Sequence, residues 1–78
     1  MDVKILGTGC SKCKALADKV RFLADEYKID IDIEKITDFT KITEYGVMMT
    51  PGLIVDGVVK SAGKIPKDED ILRWLRGE

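Results

Sequence analysis

Between Cys13 and Tyr27 the apolar residues recur as Cys13, Leu16, Ala17, Val20, Leu23, Ala24 and Tyr27, the i, i+3, i+4, i+7 spacing of a helix with one buried stripe. Lys12, Lys19, Arg21, Asp25 and Lys28 then lie toward solvent. β-type segments stand on both sides of this run. Asp2 to Leu6 precedes it and ends in Gly7-Thr8-Gly9; after it, Ile29, Ile31 and Ile33 alternate with Asp30, Asp32 and Glu34, the period of a strand with one wet face, as at a sheet edge. A helix between two strands of one sheet is a crossover, so the strands run parallel and the connection is right-handed.

The second half adds a short helix, a hairpin and a last helix. Thr37 or Asp38 caps the short helix, which carries Phe39, Ile42 and Tyr45 on one side as core and ends at Gly46. Leu53-Ile54-Val55 and Val58-Val59-Lys60 flank Asp56-Gly57, the signature of an antiparallel hairpin with a type I′ turn. Pro66 opens the last helix, with Asp68, Glu69 and Asp70 in its first turn, Arg73 and Arg76 in its last, and Ile71, Leu72 and Leu75 as its buried stripe. The order is βαβαββα. It defines an α/β fold with a four-stranded mixed sheet flanked by three helices, in one domain spanning 1–78.

Thirteen basic and 14 acidic residues are spread along the whole chain, leaving no block to attract phosphates or anionic lipid, so nucleic acid and membrane surfaces are excluded as expected partners. No apolar window reaches the roughly 18 residues of a membrane span, and Met1-Asp2-Val3-Lys4 lacks the layout of a signal peptide. A cytoplasmic monomer is the expectation. The two cysteines are too few for a disulfide scaffold, and Cys10 and Cys13 close too short a loop to brace the fold. Chemistry explains them better.

Cys10-Ser11-Lys12-Cys13 falls where the glycine turn runs into the first helix. Cys10 then sits at or beside the N-cap, where its sulfur accepts hydrogen bonds from unpaired N–H groups, and the thiolate accepts them best. The helix dipole contributes about 0.3–2 kcal/mol and a charge-assisted hydrogen bond about 1.5–3. At about 1.4 kcal/mol per unit, these bring a thiol from about 8.5 into the range where much of it is ionised at neutral pH. Cys10 is therefore the expected nucleophile. Cys13, one turn later on the apolar stripe, suits the resolving role: it attacks the mixed disulfide at Cys10 and releases the reduced product. Ser11 and Lys12 stand between the two as candidate modulating residues, and Lys14 joins them; the alternative is that the lysines are ordinary solvated helix residues. No dissociable cofactor is expected, the redox centre being a Cys10–Cys13 disulfide.

A soft metal is the rival reading. Two cysteines and no histidine exclude an internal four-ligand zinc or iron–sulfur site. A two-coordinate ion such as Cu(I), or one shared between chains, stays open. Gly7 to Cys13 also resembles the metal loop of small copper chaperones, but those proteins continue in a different order of elements.

Met49-Thr50-Pro51-Gly52-Leu53-Ile54-Val55-Asp56-Gly57 resembles the segment of thioredoxins and glutaredoxins in which a proline precedes the third strand, and Cys10 to Cys13 match that superfamily's cysteine pair in the same order. The short length and the Gly7-Thr8-Gly9-Cys10 approach look most like the small redox-disulfide proteins of archaea and anaerobic bacteria. The resemblance implies a thioredoxin-like fold and a thiol–disulfide oxidoreductase acting on protein disulfides, with a flavin-dependent disulfide reductase as electron donor. It also implies that Pro51 is cis against the cysteines and that the Thr50 backbone pairs with an extended substrate. Gly9 and Ser11-Lys12 depart from the Trp and Gly-Pro of typical thioredoxins. Ser61-Ala62-Gly63-Lys64 matches the glutathione-binding segment of glutaredoxins only in part, and the buried acid of many thioredoxins has no assignable counterpart. Met48 and Met49 either line the substrate groove or fill the core.

Overall fold

The computed structural model describes residues 1–9 and 11–77. Strand β1, Asp2–Leu6, has the predicted bounds and lies inside the sheet, so both its faces are covered: Val3 and Ile5 point to one, Leu6 to the other. Helix α1, Ser11–Glu26, follows, with Cys13, Leu16, Ala17, Val20, Leu23 and Ala24 buried. Strand β2 is Asp32–Ile36, α2 is Phe39–Glu44, β3 is Gly52–Val55, β4 is Val58–Ala62 and α3 is Asp68–Leu75. The sheet order is β2-β1-β3-β4, with β1 and β2 parallel and the other pairs antiparallel. This is the mixed four-stranded sheet and the βαβαββα order expected.

Two cores sit on the two faces. One joins Val3, Ile5, Leu53 and Val55 to the stripes of α1 and to Ile71 and Leu75 of α3. The other is small: Leu6, Ile36, Ile42, Val47 and Ile54. The hairpin turns through Asp56 (φ 49) and Gly57 (φ 84), the two positive φ values of a type I′ turn. A bulge between Leu53 and Ile54 then shifts its register. No helix among the described residues is long and apolar enough to cross a membrane.

Four expectations need correction. The second strand starts at Asp32, not Ile29, because Ile29 serves the end of α1. Its N–H donates to the Ala24 carbonyl (2.8 Å) and that of Lys28 (φ 55) to Asp25 (3.3 Å), the paired bonds of a Schellman cap, with Ile29 packed on the core beside Ala24. Tyr27 is half exposed beyond the helix, its ring under Arg76 at 5.3 Å. Phe39 and Tyr45 are exposed, since the short α2 offers only Ile42 to the small core; Asp38 caps that helix by accepting from the Thr40 N–H at 2.9 Å. Pro66 is buried but precedes α3, whose N-cap is Lys67.

Candidate functional site

The site is built at the carboxyl end of β1. Gly7 follows directly and donates its N–H to the Ile36 carbonyl of β2 at 2.9 Å; Gly9 then turns through φ +96, a conformation that L side chains rarely adopt. Ser11 and Lys12 open α1 and are exposed. Cys13 lies one turn in, 5% exposed, and is disulfide-bonded. Cys10, the expected nucleophile, lies outside the described residues.

Gly7 packs against Cys13 from the strand side. A Cβ built on Gly7 would lie 2.7 Å from the Cys13 Cβ and closer still to its Sγ. Glycine is required here for space, since its φ is not in the left-handed region. Sequence reasoning took Gly7 as part of a turn; its signal was the placement of a glycine between the last apolar strand residue and the helix.

The pairing of Leu6 with Gly52 brings the segment before β3 alongside the turn after β1. Pro51 is buried, its peptide bond with Thr50 is cis, and its carbonyl accepts from the Gly63 N–H at 2.9 Å. Thr50 is half-buried next to it. Met48 and Met49 are 81% and 66% exposed, which removes the core-filling alternative for both. Cys13, Thr50 and Pro51 thus share one end of the sheet. Beside Cys13 is a pocket of about 220 Å³ lined by Ile5, Gly9, Cys13, Lys14, Ala17 and Lys35. A larger concavity, about 600 Å³ between β2 and α2, contains none of the sequence-predicted site residues; its mixed lining of Glu34, Lys35, Asp38, Lys41 and Glu44 has no cysteine, so the smaller pocket is the one relevant to thiol chemistry.

Fold and site together define the class: a mixed sheet whose central strand turns through glycines into a helix with a buried cysteine in its first turn, and a cis-proline that enters the neighbouring strand at the same end of the sheet. Residues 1–76 match the thioredoxin domain family, and the chain belongs to it. It is similar to a thioredoxin of Methanocaldococcus jannaschii, 40% identical over 74 residues that cover 95% of this chain and 85% of the relative. A thioredoxin of Methanothermobacter thermautotrophicus is 39% identical over 75 residues, covering 96% and 97% of the two chains. A probable thioredoxin of the same organism is 33% identical over 72 residues, covering 88% and 84%. The chain is a thioredoxin-like thiol–disulfide oxidoreductase, and the soft-metal alternative finds no support in these comparisons.

Proposed function

We propose that the protein reduces disulfides in other proteins, with Cys10 as nucleophile and Cys13 as resolving thiol. The observation that carries this reading is the burial of Cys13 in the first turn of α1, backed by Gly7 and level with Pro51. A thiol so placed is shielded from bulky partners, whereas a cysteine three residues earlier stands at the helix start, where N–H groups and the dipole favour a thiolate. The Cys10 thiolate attacks a target disulfide and forms a mixed disulfide. Cys13 then attacks Cys10, closing the Cys10–Cys13 disulfide and expelling the reduced target. Thr50 and Pro51 orient the target, the Thr50 backbone pairing with its extended chain. Ser11 and Lys12, exposed between the cysteines, tune partner choice and thiolate character.

In this reading the electrons reside in the cysteine pair with no dissociable cofactor. The protein acts as a cytoplasmic monomer, re-reduced by a flavin-dependent disulfide reductase. The test is dithiol-driven reduction of insulin by wild type, Cys10→Ser and Cys13→Ser. Wild type turns over, Cys10→Ser is inert, and Cys13→Ser accumulates mixed disulfides. Trapping by the Cys10→Ser protein instead would reverse the roles, and an inactive wild type would overturn the reading.

A further inference from the structure

The chain has three methionines, and their surroundings differ. Met1 is partly buried against the larger core, whereas Met48 and Met49 are exposed in the segment between α2 and β3. Buried neighbours hold that segment from both sides: Val47 belongs to the smaller core, and Pro51 is buried with its carbonyl accepting from the Gly63 N–H. Gly63 also sets the place of Met49. It turns through φ +79, and a Cβ built on it would lie 3.0 Å from the Met49 Cβ and 3.5 Å from its Sδ and Cε. The Met49 side chain thus lies along the bare Gly63 backbone, and the residue stays largely exposed.

Both exposed methionines border the place where a target docks. Met49 and Met48 precede Thr50 by one and two residues, at most about 7 Å along the chain, so an extended target paired with the Thr50 backbone runs past them. A surface of flexible thioethers suits targets of varied shape. It also carries a chemical liability. A thioether needs no ionisation to react with a peroxide, so exposure decides which methionine is oxidised, and the sulfoxide is polar where the methionine was apolar. Dithiols that reopen a Cys10–Cys13 disulfide leave a sulfoxide in place, since its reduction takes a methionine sulfoxide reductase.

We propose that Met48 and Met49 are an oxidation site through which peroxide weakens the binding of protein targets while leaving the fold and the cysteine pair intact. This rests on the reading above, in which targets dock at Thr50 and Pro51. In the reaction the thioether sulfur attacks one oxygen of hydrogen peroxide, and the sulfur–oxygen bond forms as the oxygen–oxygen bond breaks. The sulfur is oxidised by two electrons; the departing hydroxide takes up the remaining proton and leaves as water. One methionine side chain no longer buried under the target lowers kcat/KM about tenfold.

The test treats the disulfide form with hydrogen peroxide, so that the cysteines are protected, and then reduces it with dithiothreitol. Mass spectrometry should find two added oxygens in the tryptic peptide 42–60, which holds Met48 and Met49, with Met1 largely unmodified. The kcat/KM for insulin then falls about tenfold. Tm and the reaction with dithiobis-nitrobenzoate, a disulfide too small to cover either methionine, keep their untreated values. Methionine sulfoxide reductases acting on both epimers restore the insulin rate. The double variant Met48→Leu, Met49→Leu, whatever its starting rate, loses none of it on the same treatment. Full oxidation of 42–60 with an unchanged insulin rate overturns the proposal, as does a double variant that loses as much as wild type, or a Met1 oxidised as fast as the pair. If untreated wild type does not reduce insulin, the docking reading has failed instead.

Discussion

Replacing Gly7 by alanine tests the packing at the base of the site. The new methyl would lie 2.7 Å from the Cys13 Cβ, about 1 Å inside the optimum separation of two carbon atoms, and closer still to the Sγ, the contact that Cys13→Ala removes. Neither side yields readily. Cys13 is held by its place in the first turn of α1, and the Gly7 N–H is bound to Ile36 in the neighbouring strand. Relief requires the first turn of α1 to move away from β1, an overpacking cost of about 1–3 kcal/mol. Restricting the unfolded chain returns about 0.4–1 kcal/mol, because the φ of Gly7 suits alanine. At mid-range values the net loss is about 1.3 kcal/mol, and at roughly 4–8 °C per kcal/mol for a domain of this size, Tm falls by about 5–10 °C. Gly9→Ala is the control. It meets no atom within 4 Å but sits at φ +96, so its cost is conformational alone. Melting by far-UV circular dichroism under reducing conditions, for each variant with and without Cys13→Ala, separates the two causes. Gly7→Ala couples to Cys13→Ala by at least about 0.5 kcal/mol and Gly9→Ala does not. A Gly7→Ala protein that melts with wild type, or equal coupling at the two glycines, would falsify the steric argument.

Two further substitutions probe other parts of the fold. Ser61 is buried and its hydroxyl has no hydrogen-bond partner among the described residues, so Ser61→Ala should raise Tm by relieving part of a penalty of about 1–3 kcal/mol; a lower Tm would show that the hydroxyl is satisfied in solution. The hydrogen bond to Asp2 holds the Lys4 ammonium above the usual lysine range against the pull of partial burial, with the charges of Asp2, Tyr45 and Glu34 assisting. The folded state thus binds this proton more tightly than the unfolded one. Its contribution is complete below about pH 10.4 and is lost as pH rises through the higher folded value. The urea midpoint of Lys4→Met should therefore lie below wild type at neutral pH and converge with it in strong alkali; an offset that persists there would contradict the linkage.

Most of the fold was legible because local signals agreed with the tertiary arrangement. Asp56-Gly57 names its turn type, the α1 stripe names its buried face, and β1 has the bounds its glycines dictate. The failures share a cause: the deciding contact lay outside the local pattern. Ile29 continues a perfect alternation but is taken by a Schellman cap in which lysine, not glycine, holds the left-handed position. The start of β2 is set by its partner, through the bond from the Asp32 N–H to the Met1 carbonyl. Phe39 and Tyr45 have the right helical spacing, but their face of the sheet has too little surface to cover them. Of the candidate site, Cys13, Thr50 and Pro51 were found by motif and position. Gly7 was missed, since it acts through the space it leaves.

The site's position also follows from the topology. β1 lies between β2, which it reaches through α1, and β3, which arrives antiparallel from the other end of the chain. At its carboxyl end β1 runs through the glycine turn into α1, while the Thr50–Pro51 segment leads into β3 beside Leu6, so Cys13 and the cis-proline lie at the same end of the sheet on two independently anchored backbones. The anchors are the bonds from Gly7 to Ile36 and from Gly63 to Pro51. The first fixes the Cys13 side through β2 and the second fixes the proline side through the β4 end, so the two backbones are held by opposite edges of the same sheet. A slip of one residue between β1 and β3 would exchange the faces of Leu53 and Ile54 and bury the wrong side of β3. The hydrophobic cores therefore enforce the register that brings Cys13 and Pro51 together.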